Sequence, residues 1–344
     1  MSHDSRREFI MKSAAFLSAA LEAELLAGAQ NNAGDVGKVD PVAPDVYFLV
    51  GDIAGKGHCN TGWVIFEDYV LVIDANYPSG AREMIPKIRA LTDKPIRFAF
   101  DTHHHGDHVY GNQVMIENGA AVVSHTGVIE ELKRYETGYY GSTPGRWEAD
   151  AKRRPDMRES RLKPPSVLFP KELFFDDGKH RVELLYLGVA HTHGDAFAWL
   201  PKERVLFSGD ACINAPYNFT GDGNVEKWIG TLDAAAKLGA RIVCPGHGSR
   251  GSGEMVVSQR MYFKSLWDRV EALMGKASPE EARGLVQKVR EELKSDPRIA
   301  IYVGDGFAAQ AEKVYQEITG RKFAAIPGAS QEARALHARA HGLA

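Results

Sequence analysis

An α/β fold carrying a helical C-terminal appendage is the class this sequence predicts, and three observations point to it. Between Val46 and Leu238, short β-branched and aromatic runs alternate with segments whose apolar residues recur at helical spacing. Several of the apolar runs are followed directly by histidines or aspartates, and converging strand ends are where α/β proteins build sites. From Gly253 to about Thr319 the composition turns helical.

Taken in order, Ser5-Arg6-Arg7-Glu8-Phe9 followed by the Ala-rich Ser13–Leu21 resembles a twin-arginine export signal, with a small-x-small cleavage site at Ala27-Gly28-Ala29. That reading takes 1–29 as a signal and expects export to the periplasm; the alternative is an amphipathic helix that stays on the protein. The apolar run is far short of the ~20 residues a membrane span needs. Residues 30–41 are polar, with Gly and Asn, and read as a linker. Val46–Val50, Gly62–Phe66 and Tyr69–Ile73 read as a strand meander, and Ile96–Asp101 and Ala121–Val123 as further strands. Helices are expected over Ala81–Leu91, Val109–Asn118 and Val128–Tyr135.

Thr137–Pro165 breaks the rhythm with Gly, Pro and charge, so it is expected to be a long loop or insertion. Its Tyr139, Tyr140 and Trp147 either line a pocket mouth or simply pack the insertion down. Phe174–Leu187 reads as a hairpin turning at Asp177-Gly178, and Phe197–Leu200 with Val205–Phe207 as a second. Val225–Leu238, Met255–Met274, Pro279–Lys294 and Phe307–Ile318 read as helices, with Ser278 as a cap. The expected division is a catalytic domain over 42–252, a helical region over 253–320 and a tail over 321–344. The helical region packs on the body or forms a homodimer interface.

The chain's 344 residues can bury a sizeable core, and 44% hydrophobic with 25% charged residues is ordinary for a globular protein. A formal net charge of -3 gives no electrostatic case for nucleic-acid binding. Cys59, Cys212 and Cys244 form no C-x-x-C pair and no disulfide pattern.

Thr102-His103-His104-His105-Gly106-Asp107-His108 gathers four imidazoles and a carboxylate in seven positions, poor for a core and good for a divalent metal. A histidine-rich run alone could be a solvated loop or an adventitious trap. Neither account explains His191, Asp210 and His247, each placed just after an apolar run: Val182–Leu187, Val205–Phe207 and Ile242–Val243.

His103-x-His105-x-Asp107-His108 resembles the signature of the metallo-β-lactamase superfamily. Gly188-Val189-Ala190-His191-Thr192-His193-Gly194-Asp195, Phe207-Ser208-Gly209-Asp210 and Pro245-Gly246-His247-Gly248 resemble its remaining motifs, in family order. The resemblance implies a four-layer αβ/βα sandwich. It implies a first metal on His103, His105 and His191, a second on Asp107, His108 and His247, and Asp210 bridging them. Asp107 would orient the attacking hydroxide, with Asp101, Thr102 and His104 behind the ligands. Zinc is the default ion for so many imidazoles; Asp107 and Asp210 keep iron and manganese open. Substrate contacts are expected of His58, Asn60, Tyr110 and His193, although for His58 and Asn60 a plain hairpin loop is the preferred account.

The expected function is hydrolysis of an amide or ester of a small molecule by a two-zinc site, with a β-lactam the leading named substrate. Thioesters, lactones and sulfate or phosphate esters are the alternative, favoured by Asp210 where one lactamase subclass uses cysteine. An iron-dependent oxidoreductase resembling the persulfide dioxygenases is the alternative of another class. Metal binding without turnover is a further reading, against which the complete ligand set argues.

Overall fold

The computed structural model describes residues 35–136, 146–216 and 218–324. Two sheets form its centre. The first has seven strands in the order β1-β2-β3-β4-β5-β6-β7: β1 (Val39–Ala43), β2 (Val46–Leu49), β3 (Thr61–Ile65), β4 (Val70–Ile73), β5 (Ile96–Asp101), β6 (Ala121–His125) and β7 (Val167–Phe169). Strands β1 to β4 meander antiparallel, and β4 to β7 run parallel. The second sheet, of five strands, has the order β12-β11-β10-β9-β8: β8 (Glu172–Asp176), β9 (Arg181–Leu185), β10 (Phe197–Leu200), β11 (Val205–Gly209) and β12 (Ile242–Pro245).

Period-two alternation sends neighbouring side chains of one strand into different cores. Val64, Leu71, Ile73 and Phe100 face the second sheet, where Leu184, Ala198, Val205 and Phe207 meet them. Trp63, Val70, Val72 and Ala99 face outward, under helix α2 (Pro78–Arg89) and helix α4 (Asn112–Glu117). The second sheet's outer face, with Phe197, Trp199 and Leu206, is covered by α7 (Val225–Ala236), α8 (Glu254–Met274), α9 (Pro279–Lys294) and α10 (Phe307–Thr319). The layering is therefore helix, sheet, sheet, helix. Burial on both faces explains why these strands read as nearly continuous apolar runs. The C-terminal helices share one core with α7 and the second sheet. Among the described residues, no helix is long and apolar enough to cross a membrane.

Several expectations need correction. The segment read as linker ends in strand β1, which pairs with β2 through Val39 and Leu49. A helix, Arg146–Arg153, lies inside the presumed loop, and strand β7, just after it, is too short for a periodic signal. The helix expected over Val109–Asn118 is two: α3 (Gly106–Val109), built on the histidine motif itself, and α4. The break has a cause, since the Gly111 N–H leaves the helix to donate to Asn76 O at 2.7 Å. The glycine-rich stretch after β2 holds a short helix, α1 (Ile53–Lys56), capped by Asp52, which accepts from Gly55 N. The remaining described helices are α5 (Thr126–Glu136) and α6 (Arg146–Arg153). Trp147 of α6 packs on Tyr110 with ring centroids 4.6 Å apart, which is packing of the insertion. Tyr139, Tyr140, the N-terminal segment and most of the tail lie outside the described residues.

Trp228 of α7 is fully buried, lies 4.3 Å from Phe263 between ring centroids, and donates from Nε1 to Ala211 O at 2.9 Å. Trp228→Phe keeps most of the packing but leaves that carbonyl without its donor. It should lower unfolding free energy in urea by about 1–3 kcal/mol.

Candidate metal centre

Strands β4, β5, β9, β11 and β12 end at one edge of the sandwich, and the loops leaving them carry the histidines and aspartates. His103 and His105 follow β5, Asp107 and His108 lie on α3, His191 follows β9, Asp210 directly follows β11, and His247 follows β12. Among the described residues, donor atoms of His103, His105 and His191 lie within 4.8 Å of one another, and so do those of Asp107, His108 and His247. Asp210 stands between the trios. Its Oδ2 is 3.5 Å from His191 Nε2 and 3.3 Å from His247 Nε2, and its Oδ1 is 3.5 Å from His108 Nε2. His247 Nε2 also lies 3.2 Å from Asp107 Oδ2.

Outward-facing acceptors decide which ring nitrogens carry protons. The Thr102 hydroxyl donates to Asp74 Oδ2 at 3.0 Å, so it accepts from His103 Nδ1 at 3.1 Å. His108 Nδ1 donates to the same Asp74 oxygen at 2.9 Å. His105 Nε2 donates to Asp222 Oδ2 at 3.0 Å, and His191 Nδ1 to Phe219 O at 2.7 Å. In each ring the other nitrogen therefore presents a lone pair inward, the usual arrangement around a metal. His105 Nδ1 and His191 Nε2 face each other at 2.8 Å, a separation that needs a positive charge there, either a second proton on one ring or a cation against both. Among the described residues, the buried Nε2 atoms of His103 and His108 and Asp210 Oδ1 have no hydrogen-bond partner, which fits a cation at the cluster.

The electrostatics agree. Burial holds the His103 cation well below the ordinary histidine range. Burial also works against a charge on His247, but Asp210 and Asp107 outweigh it and raise this histidine to about 9. Burial would raise Asp210, yet His247, His108 and His191 hold it well below the carboxylate range. Asp195, pushed up to about 8 by burial, accepts from Thr192 N at 2.6 Å and pins the turn that carries His191.

The motif glycine at 246 is required by contact rather than by turn geometry. A Cβ there would sit 2.0 Å from Asp210 Oδ1. Asn60 holds the same turn: its Nδ2 donates to Pro245 O at 2.8 Å and Gly248 O at 2.7 Å, and its N–H to Gly246 O at 2.8 Å.

The four residues expected to contact substrate have partners within the protein. Asn60 is a buried clamp. His58, also buried, donates from Nε2 to Ser79 Oγ at 2.7 Å, and Ser79 in turn donates to Asp156. Tyr110 is buried with its hydroxyl on Asp150 Oδ2 at 2.9 Å. His193 does not join the cluster; it stands on the surface, 3.6 Å from the Glu131 carboxylate. Of the residues expected behind the ligands, Thr102 is there. Asp101 instead accepts from Asn112 at 2.8 Å, and His104 Nε2 lies 3.8 Å from Asp222 Oδ2. Asp74, Asp222 and Asp195 were not singled out from the sequence. Asp74 carries the signal used for Asp210, an acid ending an apolar run; Asp222, in Gly221-Asp222-Gly223, carries none.

Comparison with known proteins places this geometry. The family model described as "Metallo-beta-lactamase superfamily" matches residues 54–247. Over 82 residues the chain is 30% identical to a metallo-beta-lactamase type 2 of Pseudomonas aeruginosa, a match covering 23% of this chain and 32% of that protein. It is 37% identical over 82 residues to a metallo-beta-lactamase type 2 of Bacteroides fragilis, covering 22% and 32%. The chain thus matches about a third of the length of these relatives. The solved metallo-beta-lactamase from Pontibacter korlensis superposes with a TM-score of 0.54 at 18% identity, over 66% of this chain and 98% of that one. The structure of DIM-1 metallo-beta-lactamase gives 0.52 at 19%, over 66% and 97%. At such identities the likeness speaks to the fold.

A pH dependence follows from the Asp210–His247 pair in metal-free protein. A histidine raised to about 9 stabilises the fold fully below its unfolded value near 6.5, and this is lost as pH rises through about 9. The lowered Asp210 stabilises above its unfolded value of 3.8, and this is lost as pH falls. With chelator present, melting temperature should therefore fall from pH 6.5 to pH 9.5. His247→Gln should flatten that alkaline decline, and an unchanged profile in this variant would exclude the pair as its source.

Proposed function

The chain belongs to the metallo-β-lactamase superfamily, and from that membership we propose that it is a metal-dependent hydrolase of a small amide or ester. The observation that carries the metal reading is the convergence of two trios of donor atoms, His103 with His105 and His191 and Asp107 with His108 and His247, each within 4.8 Å of one another. His103, His105 and His191 would hold one ion, Asp107, His108 and His247 a second, with Asp210 shared. Zinc suits the five imidazoles; the two carboxylates leave iron or manganese as alternatives. When bound, such ions lower the pKa of water from about 15.7 to about 7 and so supply hydroxide at neutral pH.

The chain's own groups do the rest. Asp107, buried beside His247, is the carboxylate placed to orient the attacking water and hold its proton. Asp74, Asp222 and the Phe219 carbonyl keep imidazole lone pairs aimed inward, so reorganisation during turnover is small. A β-lactam is the leading substrate, supported by the names of the matched relatives and by the export-like N-terminal sequence. Thioesters, lactones and sulfate or phosphate esters form the second reading, and Asp210 as the shared carboxylate favours it. Export to the periplasm belongs to the same proposal.

Metal analysis of purified protein should find about two zinc ions per chain. Iron in their place would favour the persulfide dioxygenase-like reading, and no transition metal at all would overturn the proposal. Nitrocefin, an acyl-lactone, a glutathione thioester and a nitrophenyl phosphate separate the substrate classes, with turnover of one expected. His103→Ala should abolish most activity while the protein still melts cooperatively. Asp74→Ala should cost roughly 10–100-fold in metal affinity, because it withdraws the acceptor from His108 and Thr102. Full activity in His103→Ala would contradict the ligand assignment.

A further inference from the structure

The outer partners of His105 and His191 both come from the loop between Asp210 and Asn224: Asp222 Oδ2 and the Phe219 carbonyl. This loop lies between the candidate metal centre and the C-terminal helices, which hold its far side. Gln259 of α8 accepts from Ile213 N at 2.8 Å. Gln310 of α10 donates from Nε2 to Asn218 O at 2.6 Å and accepts on Oε1 from the Tyr262 hydroxyl of α8. Asn218 Nδ2 donates onward to Asp210 O at 2.9 Å. Gln259, Tyr262 and Gln310 are buried, at 0%, 1% and 1% exposure. Backbone contact adds a second tie, because a Cβ on Gly304 would lie 2.0 Å from Pro216 O.

Position 310 must donate to a carbonyl and accept from a hydroxyl within one buried side chain. An amide does both; a carboxylate or an alkyl group cannot. The family match ends at residue 247, so this brace comes from outside the matched region. We propose that the C-terminal helices are a working part of the metal centre, with Gln310 a positioning residue that fixes His105 and His191 through Asn218, Phe219 and Asp222. This rests on the two-metal reading above. The influence is selective. Asp107 and His108 sit on α3, where Asp74 holds His108, Asn60 clamps the His247 turn, and Asn218 meets Asp210 at its backbone carbonyl rather than its carboxylate, so the brace bears mainly on the ion held by His103, His105 and His191.

The test titrates metal-free protein with Zn2+ against a chromogenic chelator and reads two affinities, with melting temperature of the metal-free form as a check on folding. Tyr262→Phe/Gln310→Met replaces the buried polar pair with apolar groups of similar size and removes the donor to Asn218 O. It should weaken one of the two ions about tenfold, the low end for outer partners of a metal site, while Tyr262→Phe alone stays within about twofold. Two wild-type affinities in the double variant would overturn the proposal. So would equal loss at both ions, or the same loss from Tyr262→Phe alone. If the double variant fails to melt cooperatively, Gly304→Ala carries the same expectation of selective loss, and wild-type affinities there would overturn it. Wild-type protein that takes up no zinc would instead remove the metal reading itself, and this inference with it.

Discussion

The structure depends on one electrostatic constraint: five imidazoles and two carboxylates converge in a space nearly closed to solvent. Each of four rings has its proton engaged by an acceptor on the outside, so lone pairs meet within. Without a positive charge among them such a gathering would be costly, because buried polar groups need partners and buried charges need counter-charges. Protons can supply part of that charge, which is why His247 is raised and Asp210 lowered in the metal-free chain. A divalent ion supplies it better and with directional bonds.

The sandwich meets this demand by division of labour. The first sheet delivers His103, His105, Asp107 and His108 after one strand, and Asp74 after its neighbour. The second delivers His191, Asp210 and His247 after three. Parallel pairing of β4 with β5 and of β11 with β12 puts these strand ends side by side. Close backbone approach then does the fine placement. The turn carrying His247 comes so near Asp210 that residue 246 has no room for a side chain, and Asn60 ties the same turn to the start of β3.

Much of this was legible in the chain. The strand-ending histidine and aspartate motifs carry local composition strong enough to mark the cluster, and doubly buried strands announce themselves as apolar runs. The three-residue β7 was missed because it is too short to show a period, and β1 because a polar, Gly- and Asn-containing lead-in masks it. The roles of His58, Asn60 and Tyr110 are hard to read from sequence for another reason. Polar side chains near a motif look available in sequence, whereas these three satisfy carbonyls, a hydroxyl and a carboxylate within the fold. Asp222 and Gln310 could not be found at all, since a lone acid between glycines and a glutamine on an amphipathic helix have no distinguishing pattern. Their meaning lies wholly in what the tertiary structure sets opposite them.

The Asn60 side chain closes on carbonyls 185 and 188 positions further along the polypeptide. A nascent chain leaving the ribosome therefore exposes the His103–His108 run well before His191, Asp210 and His247 have been made. The cluster can therefore assemble only once the polypeptide has been made as far as Gly248, which makes this edge of the sandwich a late part of the fold to close.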